Sequence, residues 1–296
     1  MPRRLLILIS LGLASFTSGR TETFTEVPIL SCSGLPCIEA QLNGGRPLRF
    51  VLDFASFASY VSAPAVKDQY VGLRSRVQIG SVVLSDHFFV VDPKSQESLG
   101  QIAREHFPGG EGGLALTVFG DRGFVLDLPH QRLRIDLEEH SQSVCPHGCG
   151  KLVTAYFGDI GRVPIVGTDS FSLNNRPVTA VIDPLYDGAV VLTKPVDGLV
   201  RLNVRDRPPL RNAGNPTGKM YHTERLFSLG EVFITFAGAG VCSSAPLLRY
   251  DVTFGTTGVA YDATIGRGVL SRIALAVDLR RMQIWVADPV SAAKCN

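Results

Sequence analysis

The chain has 296 residues, long enough for one large domain or two smaller ones, and 45% of them are hydrophobic, which allows a sizeable core. The formal net charge is +2, and no basic cluster combines with interleaved aromatic residues, so nucleic-acid binding has little support. Thirty glycines and eighteen prolines separate short segments rich in Val, Ile, Leu and Phe, a pattern that favours a mainly β protein.

The first segment has the anatomy of a secretory signal peptide. Arg3 and Arg4 precede an apolar run from Leu5 to Phe16, and small residues follow, so cleavage near Gly19 is expected. We assign residues 1–19 to a signal peptide and predict a secreted or periplasmic protein without an integral membrane segment after cleavage. The apolar run is too short to span a bilayer comfortably, and the alternative is an uncleaved anchor or a buried N-terminal helix.

The chain contains six cysteines, all of them beyond the predicted cleavage point, and an even number favours disulfides in an oxidising compartment. Local spacing favours three pairs: Cys32 with Cys37, Cys145 with Cys149, and Cys242 with Cys295. The segment CPHGC, with His140 and His147 nearby, leaves a metal site as an alternative, although the second ligand pair usual for zinc is not evident. We expect disulfides, no metal and no organic cofactor.

Two segments that each contain an aspartate repeat along the chain. RPLRFVLDFAS and RPVTAVIDPLYDG align at an offset of 130 residues, so that Asp53 matches Asp183. Further on, VFGDRGFVLDLPHQRLRI and VLSRIALAVDLRRMQIWV align at an offset of 151, and between these blocks VQIGSVVL resembles FSLGEVFI. Three blocks in the same order indicate a tandem duplication and therefore two homologous β lobes.

A strand that delivers one aspartate in each lobe resembles the aspartic peptidases, specifically the bilobal retropepsin-like group of secreted bacterial proteins. The resemblance covers roughly residues 24–287 and rests on the quoted segments together with IGRGVL. It implies a mainly β fold with two homologous β-barrel-like lobes of the aspartic protease type and a cleft between them. The predicted organisation is an N-terminal lobe over residues 20–140, a linker over 141–158 and a C-terminal lobe over 159–296.

The resemblance also implies a chemistry, peptide bond hydrolysis by a water activated between Asp53 and Asp183. Two carboxylates at short range share one proton, because both cannot ionise there. The ionised carboxylate takes a proton from the attacking water, and the protonated one donates a hydrogen bond to the substrate carbonyl. A peptide or protein substrate would occupy the inter-lobe cleft under a mobile hairpin.

Both aspartate motifs depart from the family's Asp-Thr-Gly or Asp-Ser-Gly, in which the hydroxyl residue ties the two loops together and the glycine allows a tight turn. The first lobe reads DFA from Asp53, and the second reads DPL from Asp183. Proline has no N–H to donate and fixes φ, and leucine resists any positive φ. The altered loops predict weak activity. The alternative is a catalytically inactive relative that binds an extended peptide or has a structural role.

Three further residues are candidates for loop support or substrate binding. Ser56 lies where the family often has a serine that bonds its aspartate. Gly266 belongs to the apolar-plus-glycine element that supports the aspartate loop in the family, whereas the first lobe has Ala115 at the matching position. Tyr186 is a candidate for reaching the cleft, with packing as the alternative.

Three predictions concern regions away from the aspartate motifs. One helix is predicted from about Gln96 to His106, and the polar insertion from Lys194 to Met220 is predicted to be a long surface loop. Asp127 and Asp278, at matching positions, are expected to accept hydrogen bonds from backbone donors in turns.

Overall fold

The structure is a computed structural model. It describes residues 24–67, 71, 74–94, 110–120, 122–137, 145, 148–157, 161–192, 210–211, 221–227, 231–236, 239–244, 248–253 and 261–289. The predicted signal peptide, the predicted helix, Cys295 and most of the polar insertion lie outside these residues.

The fold is mainly β, as the sequence predicts. The strands of the first half are β1 Phe24–Pro28, β2 Leu30–Cys32, β3 Leu35–Leu42, β4 Pro47–Leu52, β5 Ser59–Ser62, β6 Ser75–Ile79, β7 Val82–Asp86, β8 Phe88–Val91, β9 Gly112–Leu114, β10 Gly123–Asp127 and β11 Arg132–Asp136. The strands of the second half are β12 Gly150–Phe157, β13 Gly161–Val166, β14 Phe171–Leu173, β15 Arg176–Pro177, β16 Ala180–Ile182, β17 Val190–Leu192, β18 Leu210–Arg211, β19 Tyr221–Phe227, β20 Glu231–Phe236, β21 Ala239–Ser244, β22 Leu248–Thr253, β23 Ala263–Ile265, β24 Ile273–Asp278 and β25 Gln283–Pro289. The described residues also form two single turns of 3-10 helix, Ala63–Val66 and Leu116–Phe119, and one short α-helix, α1 Arg267–Leu270.

The burial of the strands follows their position in the sheets. β1 and β6 alternate between exposed and buried residues, because one face of each strand lies on the core and the other faces solvent. By contrast β5, β9, β16, β23 and β24 are buried at every residue, as expected for strands covered on both faces. One hydrophobic cluster runs through both halves, from Phe50 and Leu52 to Ile182 and Ile265.

The two aspartate-bearing strands have the same arrangement of neighbours. In the first half β9 lies between β4 and β5, parallel to β4 with Leu52 opposite Leu114 and antiparallel to β5. In the second half β23 lies between β16 and β17, parallel to β16 with Ile182 opposite Ile265 and antiparallel to β17. A later strand thus separates two strands that are consecutive in the chain, which places the loop after each aspartate at the end of a buried sheet.

The two halves join through strands whose order is symmetric, β1-β11-β10-β24-β25-β12. At the centre β10 pairs with β24, and Val125 lies opposite Ala276, its own equivalent at the offset of 151. Phe124 lies opposite Val277, and Leu126 lies opposite Leu275. The same offset converts the first of these pairs into the second, because Leu275 is the equivalent of Phe124 and Val277 is the equivalent of Leu126. The pairing register therefore has a two-fold axis at this point, as a self-complementary contact between equivalent units requires.

Part of the predicted linker is a strand. β12, Gly150–Phe157, pairs with β13 along most of its length and with β25 at Gly150 and Lys151. This strand lies within the predicted linker, 141–158, whose bounds stay a prediction. The sequence does not indicate the strand, because a Gly- and Cys-rich turn precedes the β-forming run LVTAYF. The boundaries of the two lobes otherwise stay predictions.

Two of the three predicted disulfides are present, Cys32–Cys37 and Cys145–Cys149. The first closes the turn between β2 and β3. The second joins the cysteines of CPHGC, so their sulfurs are bonded to each other rather than offered as thiolates to a metal. The predicted Cys242–Cys295 bond involves a residue outside the described part of the chain. Within the described residues, no helix combines the length and apolar character needed to cross a membrane.

Candidate active site

Asp53 and Asp183 occupy matching turns. The backbone N–H of Asp53 donates to the Leu114 carbonyl of β9 over 2.9 Å, and that of Asp183 donates to the Ile265 carbonyl of β23 over 2.9 Å. Each aspartate carbonyl in turn accepts a bond of 3.2 Å from the residue three positions later, Ser56 in one half and Tyr186 in the other. The two loops therefore leave their sheets with the same backbone geometry.

The carboxylates are held by different donors. Asp53 is 7% exposed, and its Oδ2 accepts a hydrogen bond of 2.7 Å from the Tyr60 hydroxyl. Asp183 is half-buried, and its Oδ1 accepts a bond of 2.9 Å from the Leu185 backbone N–H. Such bonds compensate a buried carboxylate for the water it loses.

The charges of both aspartates act on the hydroxyl of Tyr60. Burial raises the pKa of the Tyr60 hydroxyl most, followed by the charge of Asp53, the hydrogen bond to Asp53 and the charge of Asp183. Two carboxylates that act on one buried phenol lie in the same region of the molecule. Because the raised pKa keeps the phenol neutral, Tyr60 acts as a hydrogen-bond donor.

A second tyrosine, Tyr261, is close enough to Asp183 for the charge of that carboxylate to act on its hydroxyl. Burial raises the pKa of its hydroxyl, a hydrogen bond with Thr264 opposes this shift, and the charge of Asp183 adds to it. Each aspartate therefore has a neutral tyrosine near it, and the two tyrosines come from different positions of the two halves.

The altered residues of the aspartate motifs fit without backbone strain. The described non-glycine residues with positive φ are Ser33, Asn43, Gln131, Asn174, Asn175 and Met282, none of which lies in either loop. The concern that leucine would resist a positive φ is therefore wrong for Leu185, because its turn forms without one. Its amide still points at Asp183, as the family's glycine amide would.

Phe54 lies in the core of the first half. Its side chain is 1% exposed and packs edge-on against Phe119 and Phe124, with ring centroids 5.9 and 5.6 Å away. The aromatic residue that replaces the family's hydroxyl position thus adds to the core of the first half.

Ser56 supports its loop rather than its aspartate. The Ser56 hydroxyl donates to the Ala58 carbonyl over 2.9 Å, two residues further along. The bond expected between this serine and Asp53 is made by Tyr60 instead. The exchange has a geometric reason, since the Ser56 hydroxyl is turned along the loop.

Leu185 packs across the boundary between the halves. It is 8% exposed and lies in a cluster with the Cys32–Cys37 disulfide and Val51, all from the first half. The matching residue of the first loop, Ala55, packs on Ala155, Val163, Ile165 and Val181 of the second half. Because Val51 and Val181 are themselves equivalent, these reciprocal contacts repeat across the two-fold axis, and we call them the crossed apolar contacts.

Arg267 adds a polar link at the same boundary. Its guanidinium donates to the Gly34 carbonyl in the turn closed by the Cys32–Cys37 disulfide, and to Asp187 Oδ1 over 2.8 Å. Arg267 follows Gly266, so the element that supports the Asp183 loop also bonds to the first half.

Gly266 and Tyr186 pack tightly against each other. A Cβ at Gly266 would lie 2.3 Å from the Gly188 carbonyl oxygen and 2.4 Å from Tyr186 Cδ1, closer than atoms can approach. The Gly266 amide donates to the Ala189 carbonyl over 2.9 Å, and the Tyr186 carbonyl accepts from the Arg267 amide over 2.8 Å. Both residues therefore pack within the turn that follows Asp183.

Sequence reasoning missed Tyr60, Tyr261 and the crossed apolar contacts. For Tyr60 a signal existed in the adjacent glycines of EGGLAL, since glycine inside a strand often marks the close approach of another group. For Leu185 no local signal exists, because its contacts with Cys32 and Cys37 are remote in sequence.

A scan against protein-family models finds none that matches the chain, and a search of curated proteins finds no significant match. Among the described residues, no group of three or more His, Cys, Asp or Glu side chains is arranged to hold a metal ion. The function is therefore argued from the two aspartates and their surroundings.

Proposed function

We propose that the protein is an aspartic-type endopeptidase of the two-lobed aspartic peptidase fold, with Asp53 and Asp183 as its acid/base pair. The observation that carries the proposal is that both aspartates end equivalent strands, make equivalent backbone bonds and act together on Tyr60. The symmetric joint between β10 and β24 supports the two-lobed arrangement, since it relates the two halves by one axis.

In the proposed reaction a water lies between the two carboxyl groups. The ionised carboxylate takes one proton from this water, and the water oxygen adds to the carbonyl carbon of an extended peptide. The protonated carboxyl donates a hydrogen bond to the carbonyl oxygen of that peptide. The tetrahedral intermediate then collapses, the C–N bond breaks, and the amine leaves with a proton from the pair. No metal is needed, because the two carboxyl groups supply both acid and base.

Weak activity is expected because both aspartate loops lack the hydroxyl residue that follows the aspartate in the family motif. The backbone of both loops is intact, but the hydroxyl that ties the loops together in the family is replaced by Phe54 in the core and by Pro184. The crossed apolar contacts take over part of that role. Apolar contacts fix position less sharply than hydrogen bonds do, and misplacement by about 1 Å costs roughly 100-fold in rate.

The second candidate is a non-catalytic protein that binds an extended peptide in the same cleft. The burial of Asp53, together with the use of its Oδ2 by Tyr60, favours this reading, because it leaves less of the carboxylate to a water.

Digestion of a mixed peptide library at acid pH tests the proposal with the wild type, Asp53→Asn and Asp183→Asn. We expect the wild type to cut a defined set of peptides and both variants to lose at least 100-fold in rate. Asp278→Asn is the control, because this buried aspartate accepts its bond from Arg281 in a turn. Identical profiles from the wild type and both variants would eliminate the peptidase, and retention of intact peptides by all three would favour the second candidate.

We also propose a secreted or periplasmic location. Two disulfides are compatible with an oxidising compartment. The N-terminus of protein recovered from outside the cytoplasm, read by mass spectrometry, tests this. A mature chain that begins near residue 20 supports the location, and recovery of the full-length chain from the cytoplasm alone contradicts it.

A further inference from the structure

Tyr60 is a fully buried side chain with its hydroxyl at the proposed catalytic pair. It is 2% exposed, it belongs to β5, and its hydroxyl lies 2.7 Å from Asp53 Oδ2. A phenol at this depth would be costly without a partner, since an unsatisfied buried hydroxyl loses about 1–3 kcal/mol. The position of the ring is therefore coupled to the carboxylate.

The fold makes room for this ring by a glycine. Gly113 lies opposite Tyr60 in the β5–β9 pairing, and a Cβ at Gly113 would lie 2.4 Å from Tyr60 Cζ and 2.6 Å from its oxygen. Gly113 does not have a positive φ. The glycine is consequently required for space, because any larger residue would push the phenol away from Asp53.

The second half does not repeat this device. The residue that the strand pairing makes equivalent to Tyr60 is Val191, which lies opposite Thr264, the counterpart of Gly113 at the offset of 151. Valine has no hydroxyl, and Asp183 receives the backbone amide of Leu185 instead. The two aspartates are thus oriented by unlike donors, a side chain for one and the backbone for the other.

The hydroxyl keeps its proton across the acid pH range, which lies well below the ordinary tyrosine pKa of 10.0, and burial and the two nearby carboxylates raise the pKa of Tyr60 further. It therefore donates to Asp53 throughout that range and does not act as a base. The Tyr60 hydroxyl donates to Oδ2 of Asp53 and not to Oδ1.

We propose that Tyr60 is a positioning residue that orients Asp53 through its hydroxyl, with Gly113 providing the space that this bond requires. The kinetic consequence rests on the proposed peptidase function, whereas the Tyr60–Asp53 bond does not. Without the hydroxyl the carboxylate loses one of the bonds that orient it, so kcat is expected to fall while KM for an extended peptide changes little.

Two variants test the kinetic part. Tyr60→Phe removes only the hydroxyl, and Gly113→Ala keeps the hydroxyl but displaces the ring. With a peptide that the wild type cuts, we expect both variants to lower kcat roughly 10- to 100-fold and to leave KM within about threefold. An unchanged kcat in Tyr60→Phe, with the protein folded, overturns the proposal, as does a fall that arises from KM alone.

A spectroscopic arm is independent of activity. With 3-fluorotyrosine placed at position 60, we expect the fluorine resonance to move in Asp53→Asn and to stay in place in Asp278→Asn, a buried aspartate bonded elsewhere. A resonance that ignores Asp53→Asn overturns the inference even if the protein cuts peptides. A resonance that responds in a protein without peptidase activity supports the Tyr60–Asp53 bond and refutes the proposed function.

Discussion

At the scale of single residues, the surroundings of the two aspartates consist of donors that hold carboxylates in place. Tyr60 and the Leu185 amide each bond one carboxylate, and the charge of Asp183 acts on the hydroxyl of Tyr261. Burial of a charge is tolerated only when such partners replace water. The residues that matter for Asp53 and Asp183 are consequently not those of the family motif alone.

The stability of the protein should fall in alkaline solution, and Tyr60 should account for part of the fall. An unfolded tyrosine loses its proton above a pKa of 10.0, while burial and the nearby carboxylates keep Tyr60 protonated in the folded state. The unfolded state then binds fewer protons, so the free energy of unfolding decreases by about 1.4 kcal/mol per pH unit for this group. Urea unfolding of the wild type and Tyr60→Phe at about pH 9 to 11 measures the difference.

Tyr60→Phe should show the shallower decline, with the remainder due in part to Tyr261, whose pKa is raised in the same direction. Parallel curves for the two proteins would show that Tyr60 ionises as easily folded as unfolded.

Asp86 should make the stability of the protein depend on pH in the acid range, whereas Tyr60 does so in the alkaline range. Its Oδ2 accepts a bond of 2.5 Å from the Ser59 hydroxyl, which itself accepts the Ala115 amide. Burial raises the pKa of Asp86 above 3.8, against the lowering effect of hydrogen bonds from Ser59, His87 and Thr117 and of the His87 charge. The folded state therefore holds the proton longer, and the associated stability is present below pH 3.8 and is lost as the pH rises through the folded pKa.

Asp86→Asn, which keeps the shape and removes the charge, should be free of this loss. Unfolding in urea at a series of acid pH values should show the wild type losing stability relative to Asp86→Asn as the pH rises. A gap that stays constant with pH would mean that Asp86 ionises equally in both states.

At the scale of elements, the crossed apolar contacts hold the two aspartate loops in register. Leu185 on the Cys32–Cys37 hairpin and Ala55 on the β12–β13 hairpin bury apolar surface at two symmetric points. Arg267 reinforces one of them through the Gly34 carbonyl. Packing between the halves thus connects the two aspartate loops to the opposite half.

Leu185→Ala should affect both stability and catalysis. Removing a buried leucine costs about 2–5 kcal/mol, and here the cavity would open beside the Asp183 loop. Leu133→Ala is the matched control, since Leu133 is fully buried in β11, where it lies opposite Val27 and Leu126 in the strand pairing. The midpoint temperature of thermal unfolding should fall for both variants.

The rate constant separates the two variants. At a temperature where both are folded, kcat should fall about 10-fold or more in Leu185→Ala and stay near the wild-type value in Leu133→Ala. Equal effects on kcat would mean that Leu185 contributes only to stability.

At the scale of the whole molecule, the repeat is visible in the sequence, but the contacts between the two repeated halves are not. The offset of 130 between Asp53 and Asp183 was visible in the residues, because short motifs around a turn survive duplication. The pairing of Cys32 with Cys37 was equally local. Both predictions depended on neighbours in the chain, which is the range over which a single sequence is informative.

The remaining features depend on contacts between distant segments. Tyr60 reaches Asp53 only because β9 separates β4 from β5 and contributes Gly113. Leu185 reaches the first hairpin only because β10 and β24 pair about a two-fold axis. Strand β12 lies within the predicted linker, and the sequence does not indicate it because a turn-rich segment precedes it and dominates the local pattern.

A crystal structure at acid pH would measure the separation between the Asp53 and Asp183 carboxyl oxygens, on which the whole account depends. We predict that one water lies within hydrogen-bonding distance of both groups, about 3 Å from each, with the Tyr60 hydroxyl on Asp53. Carboxyl groups too far apart to share a water, or directed into different parts of the protein, would contradict the account.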